Sequence, residues 1–215
     1  MATGKIAGKL KIAMMGHKHI PSCEGGIEVV VEELSTRMVK EGHQVTCYNR
    51  SGHHVSGKEF DGCSLREYQG VRIKTVPTIN RKGLAAASSS FFAALACAFG
   101  KYDVVHIHAE GPAAMSWLPK LFGKYVVVTV HGLDHQRIGK WGSFARKYIV
   151  FGEKCAVRYA DQIIVLSRGV QKYFADTYGR KTVFIPNGVS RQKILPANLI
   201  TEKFGLKKRS YMLTA

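Results

Sequence analysis

Short β-branched runs alternate along this chain with stretches whose apolar residues recur at helical spacing, and that alternation restricts the fold more than any other feature. "LKIAMMG" (Leu10–Gly16), "HQVTCYN" (His43–Asn49), "YDVVHIH" (Tyr102–His108), "KYVVVTVHG" (Lys124–Gly132), "DQIIVLS" (Asp161–Ser167) and "KTVFIPNG" (Lys181–Gly188) read as strands. Their short apolar cores suit a parallel sheet covered on both faces. After the first run, Ile27, Val30, Val31, Leu34 and Met38 fall on one helical face with Glu28, Glu32, Glu33 and Arg37 between them. That pattern predicts an amphipathic helix ending near Gly42. Further helices are predicted over 83–99, 111–122, 143–160 and 168–178, and "SLREYQGVRIKTVP" alternates as an extended segment after a polar loop at 51–62. The expected architecture is α/β: a Rossmann-like, doubly wound, mainly parallel sheet with helices on both faces. In such a fold, ligands gather beyond the carboxyl ends of the strands.

Composition narrows the setting. With 215 residues and 46% hydrophobic content the chain can bury a sizeable core. No window approaches the roughly 18 uninterrupted apolar residues of a membrane span, and "MATGKIAGKLKIAMMG" has no signal-peptide pattern, so a cytoplasmic location is expected. Cys23, Cys47, Cys63, Cys97 and Cys155 stand apart with no CxxC, which fits free thiols. The 32 Lys and Arg against 15 Asp and Glu give a formal charge of +17. It is uneven: residues 1–60 hold 8 basic and 6 acidic residues, and residues 141–215 hold 14 and 4. Such an excess attracts anions, whether phosphorylated substrates, an anionic membrane face or an acidic partner. No zinc-finger, helix-turn-helix or RNP-type signature accompanies it, so nucleic acid is not an expected partner.

The strand ends carry the candidate chemistry. Gly25 and Gly26 precede the helix that begins near Ile27, where exposed N–H groups and the helix dipole favour an anion, and Lys18 adds a charge. A glycine pair before a helix is also ordinary turn chemistry, and this loop is neither GxGxxG nor a Walker sequence. Histidines cluster at the other ends: His17 and His19 on the first loop, His106 and His108 on one strand, and His131 with Asp134 and His135 after the next. His106 and His108 are assigned to opposite faces, one of them core-facing and hydrogen-bonded. An HxH pair and His131 four before His135 have metal-ligand spacing. A hydrolase centre also wants carboxylates, and only Glu110 and Asp134 stand near, so no metal site is expected. No GxSxG elbow appears, and Asn49 and Arg50 close the second strand where a dinucleotide-binding fold places an acidic residue.

Taken in order, "KIAMMGHKHIPSCEGGIEVVVEELSTRMVKEGHQVTCYNR", "YDVVHIHAEGP", "VVVTVHGLDHQR", "WGSFARKYIVFGEKCAVRYADQIIVLSRGVQKYF" and "VFIPNGV" cover almost the whole chain. Together they resemble the N-terminal domain of retaining glycosyltransferases with the GT-B fold, specifically the family 4 group with its rhamnosyltransferase-like members. The resemblance implies two Rossmann-like domains facing a cleft, of which the first mainly binds the acceptor and the second the nucleotide-sugar donor. By it, residues 1–190 form the acceptor-side domain, and 191–215 form an interdomain linker and the start of a donor-binding domain. Gly25, Gly26 and Lys18 are implied at the donor pyrophosphate. His131 is implied at the transferred sugar, as the catalytic position. His108, Glu110, Asp134 and Trp141 line the acceptor side, and Asn187 with Gly188 lies near the interdomain cleft.

The same resemblance implies front-face substitution with retention, no cofactor and no metal, and a glycan or lipid-linked acceptor. The first loop departs from many relatives at His19, where a small residue is usual. The chain stops at "KKRSYMLTA", before the donor-gripping Glu-rich motif, so it is expected to be inactive alone. Lipid-linked acceptors raise the expectation of peripheral contact with an anionic membrane, through the basic excess and the helix at 83–99. That helix carries small residues all round, which favours a buried position over a membrane-lying one. The competing expectation is a noncatalytic carbohydrate- or phosphate-binding module, or a subunit completed by a second polypeptide.

Overall fold

The computed structural model describes residues 8–22, 25–52, 65–79, 81, 84–134, 142–188, 198–207 and 212. Its strands are β1 (Lys11–Met15), β2 (Gln44–Arg50), β3 (Glu67–Tyr68), β4 (Val71–Val76), β5 (Val104–His108), β6 (Tyr125–Val130), β7 (Gln162–Val165) and β8 (Val183–Phe184). They form one sheet in the order β3-β4-β2-β1-β5-β6-β7-β8. Every pairing is parallel except β3 with β4. The extended segment therefore resolves into a hairpin, whose two turn residues Gln69 and Gly70 take φ of 47° and 80°. Positive φ at both positions suits the twist of a two-residue hairpin.

The helices are α1 (Gly26–Lys40), α2 (Leu84–Phe99), α3 (Glu110–Ala113), α4 (Trp117–Leu121), α5 (Ser143–Tyr159), α6 (Arg168–Tyr178) and α7 (Asn198–Phe204). Strand residues alternate between two apolar layers. Ile12, Met14, Val45, Cys47, Val71 and Ile73 pack with Val31 of α1. Ala13, Met15, Val105, Ile107, Val128 and Val165 pack with Ala94 of α2, Ala113 of α3, Leu118 of α4, Ala156 of α5 and Phe174 of α6. Helices thus cover both faces, as the alternation predicts.

Two expectations are corrected. The helix predicted over 111–122 is broken into α3 and α4, because Pro119 lacks the N–H needed inside a continuous helix and is tolerated only in a first turn. The helix at 83–99 is not covered on every side. Ser89, Ser90, Ala93, Ala94, Cys97 and Ala98 are buried, while Leu84, Phe91, Phe92 and Phe99 face solvent. The polar loop at 51–62 falls largely outside the described residues. Within the expected linker, residues 198–204 form α7.

β1 sits between β2 and β5, and the connections leave it in opposite directions: α1 carries the chain from β1 to β2, while β5 leads through α3 and α4 to β6. The crevice at such a parting is where doubly wound sheets bind ligands. Behind it, α5 is seated against α3 by Gly152. A Cβ there would overlap the Glu110 carbonyl oxygen and stand 3.1 Å from the Ala114 nitrogen. Helix propensity alone makes Gly152→Ala stabilising by about 1 kcal/mol. Overlap with fixed backbone outweighs it, so we expect a net loss of about 1–3 kcal/mol in urea unfolding. An unchanged or raised midpoint would show that α5 is free to move away.

Candidate functional site

The loop after β1 is held from three directions. Gly16 takes φ 103°, and a Cβ on it would overlap the carbonyl oxygen of His108, so β1 and β5 part at a glycine. Asn49 of β2 donates through Nδ2 to the Ile20 carbonyl at 2.9 Å and accepts the Ile20 N–H at 3.2 Å. Its Oδ1 also lies 3.0 Å from His17 Nε2, and the Arg50 N–H donates to the Lys18 carbonyl at 2.8 Å. From the far side Glu28, buried in the first turn of α1, accepts the Lys18 N–H at 3.0 Å.

Gly25 and Gly26 stand exposed at the start of α1. They are not equivalent. Gly25 takes φ 88°, and a Cβ there would overlap Glu28 Oε2, so the backbone itself requires glycine. A Cβ at Gly26 meets nothing within 4 Å. Gly26 therefore borders open space at the positive end of a 15-residue helix. The Lys18 side chain is exposed on the adjoining loop.

His106 and His108 share one face of β5, contrary to the expectation of opposite faces, because side-chain direction on a strand repeats every two residues. Their rings are 4.2 Å apart and tilted by 30°. His106 Nε2 lies 2.7 Å from Thr129 Oγ1, and both histidines, not one of them, are buried and hydrogen-bonded. His108 Nδ1 lies 3.1 Å from Nε2 of His131, the half-buried residue that follows β6. His108 is 0% exposed, so it reaches the crevice only through His131.

Burial lowers His17 and His106 to about 4, and His108 well below the ordinary histidine value, with the neighbouring imidazoles adding to the penalty. His131 is lowered by burial too, opposed by the carboxylates of Glu28 and Asp134. These rings are neutral at pH 7, and the His108–His131 bond together with the approach of Gly16 to His108 joins the end of β6 to the loop that leads into α1.

Glu110 is 2% exposed, and its carboxyl turns inward. It accepts the Asp134 N–H at 2.9 Å and hydrogen-bonds Glu153 of α5. Glu153 accepts from the Tyr173 hydroxyl at 2.9 Å and from the Tyr178 hydroxyl. Burial foremost, then Glu153, pushes Glu110 up to about 9, so it is protonated at pH 7 and bonds a carboxylate partner. Glu110 thus supports the half-buried Asp134 from beneath rather than facing an acceptor. Asn187 is exposed beyond β8, two strands from β6, and is not brought to this cluster. Trp141 lies outside the described residues.

Sequence reasoning passed over Gly16, Glu28 and Asn49 as site-builders. The signals were present: an acid in the first turn after two glycines, and an amide at the strand end where an acid was sought.

A family model, Glycosyltransferase Family 4, matches residues 24–193. The chain belongs to this family. A D-inositol 3-phosphate glycosyltransferase of Geodermatophilus obscurus is 23% identical over 197 residues, 81% of this chain and 41% of that protein. An uncharacterized glycosyltransferase of Bacillus subtilis is 26% identical over 94 residues, 43% of this chain and 26% of that protein. Among solved structures, the sucrose-phosphate synthase of Thermosynechococcus elongatus matches with TM-score 0.65 and 17% identity, over 93% of this chain and 53% of that one. HepE of Anabaena, solved with UDP and glucose, matches with TM-score 0.60 and 13% identity, over 92% and 50%. The fold is that of a GT-B glycosyltransferase N-terminal domain, and the chain spans about half or less of each relative's length. Among the described residues no helix is long and apolar enough to cross a membrane.

The buried groups give stability a two-sided pH dependence. His17 and His106 titrate at 6.5 unfolded and near 4 folded, so the unfolded chain binds the extra protons and stability falls as pH drops through that window. Glu110 moves from 4.5 to about 9, so the folded chain holds the extra proton and stability falls as pH rises toward 9. Thermal melts from pH 4 to 9 are expected to peak near the ordinary histidine value. Glu110→Gln should flatten the alkaline limb and leave the acid limb, and an unaltered alkaline limb would refute the protonated-pair assignment.

Proposed function

We propose that this chain is the acceptor-side half of a two-domain retaining glycosyltransferase, with residues 1–190 as the domain and 191–215 leading to the donor-binding half. It transfers a sugar from a nucleotide-sugar donor to a glycan or lipid-linked hydroxyl. The carrying observation is that Gly26 borders open space at the head of α1, after β1, while His131 is bonded to His108 at the end of β5, the two strands at whose parting the connections diverge. Family membership and a coverage of about half the length of the sucrose-phosphate synthase and HepE chains support the two-domain reading.

In the proposed reaction the acceptor oxygen attacks the anomeric carbon on the face the diphosphate leaves. The carbon–oxygen bond to the diphosphate breaks, and the hydroxyl proton passes to the departing phosphate oxygen. The α1 N-terminus, its glycines and Lys18 stabilise the charge that develops there, while His131 holds the sugar. Asp134 lines the acceptor side, with Glu110 behind it; Trp141 is assigned to the same side and Asn187 to the interdomain cleft. The reaction needs no cofactor or metal, and the half-enzyme alone turns over poorly.

The test is transfer by the completed protein across a nucleotide-sugar panel. Gly26→Ala adds a methyl to open space without forcing positive φ, so it should raise the donor KM while leaving the melting temperature unchanged. His131→Ala should remove most of kcat, EDTA should leave the rate unchanged, and full activity in His131→Ala would overturn the site assignment.

A peripheral membrane contact is part of the proposal. Phe99 and Leu121 are 69% and 73% exposed, Phe99 packs on Phe122 at 4.7 Å, and Lys101, Lys120 and Lys124 adjoin them in the chain, Lys120 paired with Asp161 and Lys124 donating to the Gly100 carbonyl. Exposed apolar side chains on a chain with a large basic excess fit an anionic bilayer surface. Sedimentation with phosphatidylglycerol vesicles at low salt should capture the wild type and lose Phe99→Ser/Leu121→Ser. Equal recovery of both would place the contact elsewhere.

A further inference from the structure

His131 is not a lone ring at a strand end. Behind it stands His108, entirely buried, with Nδ1 3.1 Å from His131 Nε2 and with its own Nε2 buried among groups that offer it no hydrogen bond. Behind His108 lies His106, ring to ring at 4.2 Å and anchored on Thr129. The backbone fixes this column. His106 and His108 occupy β5 in register with Met14 and with Thr129 of β6 respectively, and the Gly16 approach seals the His108 carbonyl beneath the first loop.

A neutral imidazole carries one ring proton, and the hydrogen bond made by one nitrogen decides what the other presents. Between His108 and His131 one proton fills the bond, and two arrangements exist. If His131 donates from Nε2, then His108 carries its proton on the buried Nε2, an orphaned donor. If His108 donates from Nδ1, its Nε2 is a bare lone pair, and His131 must carry its proton on Nδ1. Buried orphan N–H groups are the rarer defect. The second arrangement therefore prevails.

We propose that His108 is a positioning residue that donates from Nδ1 to His131 Nε2 and so fixes His131 as the Nδ1–H tautomer, with that N–H as its only ring donor. This inference rests on the proposed sugar contact of His131 and deepens it. With Nε2 occupied, His131 meets a sugar hydroxyl as a hydrogen-bond donor and has no free lone pair with which to act as a base. That agrees with a transfer in which the leaving phosphate takes the proton. Burial foremost, then His106, His131 and His17, disfavours a proton on His108, and burial keeps His131 lowered although the carboxylates of Glu28 and Asp134 oppose it.

Two-bond nitrogen–proton correlation spectra of the chain labelled with nitrogen-15 histidine report the tautomer of each ring without any substrate. At pH 7.5, His131 is expected to show a protonated Nδ1 and an unprotonated Nε2. His108→Phe keeps a planar ring of similar size and removes the donor, so the His131 signals should move to tautomer exchange. His108→Asn places an amide near the former Nδ1 and should restore the wild-type pattern. A wild-type His131 protonated on Nε2, or one unchanged by His108→Phe, overturns the proposal. Should His108→Phe fail to fold, the wild-type spectrum and His108→Asn still decide it. In the completed enzyme, His108→Phe should lower kcat by up to about 10²-fold with KM for donor little changed, the scale expected for a misaligned group. A tautomer switch with unaltered kcat would keep the column and refute the sugar contact of His131.

Discussion

Everything in the crevice depends on one close approach, that of Gly16 to the carbonyl oxygen of His108. β1 and β5 are hydrogen-bonded neighbours whose connections depart in opposite directions, so at their carboxyl ends two loops diverge from adjacent strands. A side chain at residue 16 would push those loops apart. With glycine there, the first loop lies down on β5, and Glu28 and Asn49 tie it to α1 and β2, above the strand end where His108 meets His131.

Two buried polar assemblies support this arrangement, and each joins elements distant in sequence. The imidazole column runs from Thr129 through His106 and His108 to His131, linking β5 and β6 just below the crevice. The carboxyl pair of Glu110 and Glu153 links α3 to α5, with Tyr173 and Tyr178 of α6 closing it and the Asp134 N–H fastened above. Buried polar groups persist only when their partners are in place. These assemblies therefore specify geometry more than they add stability, holding His131 and Asp134 on rigid supports at the rim.

Much of the fold was legible because periodicity is local. The six strands and the helices around 27–41, 143–160 and 168–178 followed from spacing alone, and the glycine pair and His131 stood out as strand-end residues. The failures are equally specific. Pro119 divides a predicted helix, and a two-residue strand period places His106 beside His108 rather than across the sheet from it. Glu110 looked like a crevice carboxylate because it follows a strand, but Ala109 at φ 76° turns the chain so that the carboxyl meets Glu153, 43 positions later. Gly152 was a mid-helix glycine whose reason, the Glu110 carbonyl against it, lies on another element.

The sequence by itself determined the layer architecture, the parallel character of most of the sheet and the family, since these depend on hydrophobic period and on motifs read along the chain. Tertiary structure decided which polar groups face the crevice and which lie behind it. It made Gly25 a backbone necessity and left Gly26 beside open space, buried His108 while leaving His131 at the rim, and sent Glu110 inward while Asp134 stayed outside. The reason is that a side chain's role here depends on desolvation and on partners supplied by β2, α1, α5 and α6, and residue spacing carries neither.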